Sequence, residues 1–144
     1  MNTNLYEKDF YAWTIKNAEL MRQGKLSEID IENIAEELES MGRSEKRQLI
    51  NRLAVLVAHL LKWKFQPGLR SRSWEYTIKE QRRKVISLLK DSPSLKQDHI
   101  QMFAEAYEDA VLIAAKETGI DETDFPKTCP YSFQQAISND FWPD

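Results

Sequence analysis

A chain of 144 residues, 42% of them hydrophobic and 30% charged, has the composition of one globular domain and not of a disordered segment. Its single cysteine, Cys129, excludes an intramolecular disulfide framework, and its longest apolar run, Leu53–Leu61, contains His59 and is too short to span a bilayer. The formal net charge is only −3, but it is segregated. Residues 43–90 hold 13 Lys/Arg and 3 acidic residues, residues 1–42 hold 4 and 9, and residues 91–144 hold 3 and 11.

Four glycines and five prolines leave few turns, which favours long helices. Tyr6–Gln23 reads as a first helix, with Phe10, Trp13, Asn17 and Leu20–Met21 on one face, Asp9 as N-cap and Gly24 as its stop. Asp30 caps a second helix. Its apolar positions run Ile31, Ile34, Leu38, Met41, then Leu49, Leu53, Leu56, Leu60 and Trp63, in steps of three and four, with Glu45 in the one skipped position. The phase survives Gly42, so the spacing predicts one helix over about 31–65, roughly 50 Å long. That helix is expected to be continuous or merely kinked; the rival reading breaks it at Gly42, with Ser44 capping a fresh start. Pro67–Gly68 ends this helix, and Leu69–Arg72 is a short basic loop. Ser73 is expected to cap a third helix with the stripe Trp74, Ile78, Val85 and Leu88–Leu89, and with Glu75–Lys79 and Glu80–Lys84 as i,i+4 pairs. A fourth helix is expected from Ser94 to Gly119, and a short last one over Phe133–Ser138 capped by Ser132. Phe141–Trp142 then tucks an aromatic end onto the rest. The pattern predicts an all-α bundle of four main, largely antiparallel helices in a single domain, with one long second helix and a short C-terminal helix.

Particular residues resemble one family. They are Tyr6…Asp9-Phe10-Tyr11…Trp13, Glu37…Glu39-Ser40-Met41-Gly42-Arg43-Ser44-Glu45-Lys46-Arg47, His59-Leu60-Leu61-Lys62-Trp63 and Ser73-Trp74…Thr77-Ile78…Glu80-Gln81-Arg82. Ser92-Pro93-Ser94-Leu95, Glu117-Thr118-Gly119 and Cys129-Pro130-Tyr131-Ser132 belong to the same set. In this order they resemble the bacterial family of domains of unknown function numbered twenty-nine, over nearly the whole chain. The resemblance implies a small helical cytoplasmic protein and supplies no activity.

The residues themselves offer little catalytic chemistry. Neither His59 nor His99 has a glutamate three residues before it, so the Glu-x-x-His motif of di-iron bundles is missing, and no zinc spacing exists. No metal or cofactor is expected. Cys129 has no cue for thiolate activation, and the scattered glycines form no phosphate loop. Glu45, in phase with the apolar stripe, needs a partner, and Arg82 or Arg83 is the expected one. The candidate polar pocket is therefore Arg43, Glu45, His59, Glu80 and Arg82, with Gly42 allowing close approach of a ligand or backbone. His59, beside a core stripe, also reads as a hydrogen-bonded core histidine.

The basic segment offers a candidate interaction surface of Lys62, Lys64, Arg70, Arg72, Arg83 and Lys84. Neutralisation inside the bundle by the acidic flanking segments would explain the segregation with no ligand at all. The leading functional reading is a non-enzymatic module that binds an acidic protein partner. A nucleic-acid-associated factor is the alternative, although a pI near 5.5 falls short of the usual footprint. An enzyme or ligand site around Arg43, Glu45 and Glu80 is the third. No membrane partner and no secretory signal are expected, the location is read as cytoplasmic, and the oligomeric state is left open.

Overall fold

The computed structural model of the chain describes residues 3–144. Among them the helices are α1 (Thr3–Lys8), α2 (Phe10–Arg22), α3 (Ile31–Phe65), α4 (Arg72–Asp91), α5 (His99–Thr118) and α6 (Phe133–Ile137), connected through short 3-10 turns and with no strand. The protein is an all-α helical bundle with four long helices, of which α3 has 35 residues. It divides into two compact units, Met1–Ser44 and Glu45–Asp144, and α3 runs from the first into the second.

In the first unit the expected single N-terminal helix is two. Asp9 separates α1 from α2 and caps α2 by accepting from the Ala12 amide at 3.0 Å. Trp13 is buried, with Tyr6 edge-on and Phe10 stacked on it. Gly24 takes the left-handed conformation at φ +75° that ends α2. The chain returns through Asp30, whose carboxylate accepts from the Trp13 indole at 2.9 Å and the Asn33 side-chain amide at 2.8 Å. Buried Asn17 donates to the Trp13 carbonyl and accepts from the Asp30 amide. The one polar position on the α2 face is thus what fastens this turn. Tyr6 donates to Glu37, which ties α1 to α3.

α3 is continuous through Gly42. A Cβ at Gly42 would meet nothing within 4 Å, so no side chain or backbone among the described residues approaches it closely, and the glycine costs the helix about 1 kcal/mol relative to alanine. One expectation does not hold. The apolar stripe is core only from Leu49 onward, and Ile31, Leu38 and Met41 are 63%, 62% and 66% exposed.

The second unit is built around the other end of the same stripe. Leu49, Leu53, Leu56 and Leu60, with Val57 and Leu61 beside them, are fully buried in one core with Ile78 and Val85 of α4 and Met102, Ala106, Ala110 and Ala114 of α5. Two predicted starts move. Ser71, not Ser73, caps α4, since its extended backbone lets its hydroxyl accept from the Trp74 amide. Pro93 opens a 3-10 turn, so α5 begins at His99 and not at Ser94. Gly119 ends α5 at φ +79°, and Ser132 with Gln135 forms a capping box on α6.

The C-terminal segment is fastened by a buried cation. Arg82 is fully buried on α4; its Nε donates to the Ala136 carbonyl at 2.8 Å and its Nη2 to the Phe141 carbonyl at 2.6 Å. The Trp142 ring lies 5.3 Å from the guanidinium, and Trp142 packs in turn on Trp63. One acceptor is the carbonyl of Ala136 near the end of α6, a group that the short helix cannot itself satisfy. Replacing Arg82 by Met strands two carbonyls, and should lower the unfolding free energy by about 2–4 kcal/mol in urea titrations. Arg83→Met, on the exposed side of the same helix, should stay within about 0.5 kcal/mol.

Candidate functional site

Much of the segregated charge is neutralised within the molecule. Among the described residues, six of the basic side chains of 43–90 pair with carboxylates. Lys46–Asp98, Arg47–Glu105 and Lys62–Glu117 join α3 to the acidic C-terminal third at 3.6, 3.2 and 2.6 Å. Lys79–Glu75 and Lys84–Glu80 are the two expected i,i+4 pairs on α4.

The candidate polar pocket is not assembled in the second unit. Glu80 is taken by Lys84, and Arg82 turns to the C-terminal carbonyls instead of to Glu45, because a buried guanidinium is held where acceptors converge on it. His59 is half-buried and its Nδ1 donates to the Val55 carbonyl at 2.9 Å within its own helix. Glu45 is only partly covered. Arg43, in the first unit, pairs with Glu36 at 3.4 Å. Two open clefts, of about 500 and 490 Å³, are lined by none of these five residues.

Of the expected interaction surface, Lys62 is withdrawn. It is only 6% exposed, bonded to Glu117 and set 4.8 Å from the Trp74 ring. The sequence did hold a signal for this. Residues 53–61 are apolar on every side but for His59, which marks a central helix, so a lysine at their edge is flanked by neighbours on more than one side. Lys84 is half-covered by its pairing with Glu80, whereas Lys64, Arg70, Arg72 and Arg83 are exposed.

The exposed cations of α4 form an ordered face. Ile78, Arg82, Val85 and Leu89 are buried, and on the other side Arg72, Tyr76, Lys79, Arg83, Ile86 and Lys90 are all exposed. The steps of four, three, four, three and four keep these six on one stripe about 27 Å long. Tyr76 lies between two cations, 5.3 Å from the Arg72 guanidinium and 5.2 Å from the Lys79 ammonium. At the N-terminal end of the stripe opens the larger cleft, lined by Trp63, Arg70, Ser71, Arg72, Glu75 and Tyr76. Arg70 is preset there. Its Nε donates to the Trp63 carbonyl at 2.7 Å, and its guanidinium stands 5.0 Å from the Trp63 ring. Neither Arg70 nor Arg72 has a carboxylate partner among the described residues. This face can contact a large anionic surface. Among the described residues, no three His, Cys, Asp or Glu side chains come together as metal ligands. No helix among them is long and apolar enough to cross a membrane.

A helical bundle with a basic, aromatic-bearing face defines the class only broadly. The family model described as "Domain of unknown function DUF29" matches residues 5–142, and the chain belongs to that family. No curated protein matches the chain, and no solved structure does.

Burial favours the neutral ring of His59 and holds it below the usual imidazole range; nearby Lys62 adds to this and Glu117 opposes it. The unfolded chain therefore takes up a proton first, so this contribution to stability is complete above pH 6.5 and is lost as pH falls toward the lowered folded value. The hydrogen bond from Lys62 holds Glu117 below the ordinary carboxylate range, and its contribution is lost only at more acid pH. His59→Gln should accordingly flatten the fall in thermal midpoint between about pH 6.5 and 5, measured by scanning calorimetry in matched buffers.

Proposed function

We propose that the chain is a non-enzymatic interaction module whose α4 stripe and adjoining cleft bind an acidic protein surface. The observation behind this reading is the stripe itself: six exposed residues in unbroken helical register, four of them cationic and one of these, Lys79, paired with Glu75, with Tyr76 held between Arg72 and Lys79. Tyrosine and arginine are enriched where protein interfaces concentrate their binding energy. Leu69 and Ile86, 61% and 43% exposed beside the cations, favour a partner with apolar side chains over a phosphate backbone. A reducing, cytoplasmic setting fits Cys129, whose thiol burial pushes up to about 11 and so keeps protonated.

Nucleic acid is the second reading, favoured by the same Tyr76, since a ring among cations can also stack on bases. Fluorescence anisotropy separates the two. A labelled acidic helical peptide should bind, and Arg72→Glu with Arg83→Glu should weaken it at least tenfold, while single-stranded DNA at about 50 mM salt should not bind. Salt-steep binding to DNA without binding to the peptide would replace the first reading by the second. Failure to bind either would remove both.

A further inference from the structure

The chain end touches two of the residues that line the cleft at the start of α4. The Trp142 ring packs on Trp63 with 4.8 Å between centroids, and the carbonyl of buried Pro143 accepts from Arg70 Nη2 at 3.5 Å. Trp63 and Arg70 are also joined to each other, through the 2.7 Å bond from Arg70 Nε to the Trp63 carbonyl and a guanidinium 5.0 Å from the Trp63 ring. Arg70 lies in the connection between α3 and α4, so these contacts of its side chain are what fix its guanidinium.

The same segment is anchored in the core. Fully buried Arg82 donates to the Phe141 carbonyl at 2.6 Å and lies 5.3 Å from the Trp142 ring. Residues 141–143 therefore connect a fixed cation inside the bundle to a cation at the cleft. Arg70 engages two of its nitrogens in this way, and its Nη1 has no hydrogen-bond partner among the described residues. Glu75, the carboxylate of the cleft, is bonded by Lys79 at 2.8 Å. An arginine fixed before its partner arrives loses less freedom on binding than a mobile one.

We propose that residues 141–143 form a strap that presets Arg70 for the partner, so that docking of the chain end and binding at the cleft strengthen each other. The inference rests on the reading of the α4 stripe and cleft as an acidic-protein site, and adds the element that tunes it. Trp142 is a positioning residue: it acts through Trp63 and Arg70 and not by touching the partner. Linkage makes the effect reciprocal, so an acidic partner in the cleft also tightens the strap.

Fluorescence anisotropy of the full chain with the labelled acidic helical peptide tests this. Arg70→Met and Trp142→Ala should each weaken binding about fivefold, and the double variant should bind no more weakly than Arg70→Met alone, because Trp142 then has nothing to position. Trp142→Phe, which keeps a ring against Trp63, should restore most of the affinity. Circular dichroism that matches the wild type establishes that the variants are folded. Hydrogen exchange gives a second readout at the Phe141 amide, which donates to the Ser138 carbonyl. The peptide should slow its exchange in the wild type and not in Arg70→Met. Should Trp142→Ala not fold, this comparison decides alone. Affinity unchanged by Trp142→Ala, losses that multiply in the double variant, or exchange at Phe141 that the peptide does not slow would each overturn the strap, while peptide binding to the wild type upholds the reading of α4. If the wild type does not bind the peptide, that reading has failed and the strap falls with it.

Discussion

The apolar face of α3 meets two environments. From Leu49 to Leu60 its stripe is fully buried by α4 and α5, and the second unit has its core there. From Ile31 to Met41 the same register continues, but the side chains are largely exposed. Continuity is what links the two. A helix of 35 residues keeps a three-and-four spacing in phase over its whole length, so a face selected for burial at one end is presented in the same phase at the other. Gly42 does not interrupt it, since neither the backbone nor any neighbour uses the space its missing side chain leaves.

Charge follows the same division. Of the 13 basic side chains of residues 43–90, six are tied down by carboxylates, and Arg82 by backbone carbonyls. Lys46, Arg47 and Lys62 reach carboxylates of the C-terminal third, and Arg82 is sunk among backbone carbonyls that fasten the chain end. A buried guanidinium with two hydrogen bonds directed to carbonyls is costly to leave unpaired, and this makes Arg82 a fastening of the chain end. What remains outward is narrower than the bulk charge implies. It is one stripe on α4 with the cleft at its N-terminal end, where Arg70 and Arg72 have no paired carboxylate among the described residues.

Much of the fold was legible because the signals were local. The bounds of α3 followed from its spacing and from Asp30 and Pro67, and Gly24, Gly119 and Ser132 ended or capped helices where expected. Ser71 was missed because Ser73 offers the same hydroxyl two residues on, and only the extended backbone at Ser71 selects between them. Arg82 was readable in principle, being in phase with Ile78, Val85 and Leu89, but its partners lie more than fifty residues away and are backbone atoms, which no side-chain pattern announces. The exposure of Ile31, Leu38 and Met41 was not readable. Periodicity reports that a face is apolar; it does not report which chain covers it. The expected pairing of Glu45 with Arg82 does not form for a related reason, since helical phase places Glu45 on a face without bringing Arg82 to it.

Hydrogen exchange along α3 tests most directly whether one apolar stripe is core from Leu49 onward and largely exposed before it. Amides of 53–61 should exchange only through global unfolding, at a rate independent of protein concentration. Amides of 34–41 should exchange faster, through local opening. Equal protection at the two ends would contradict the account.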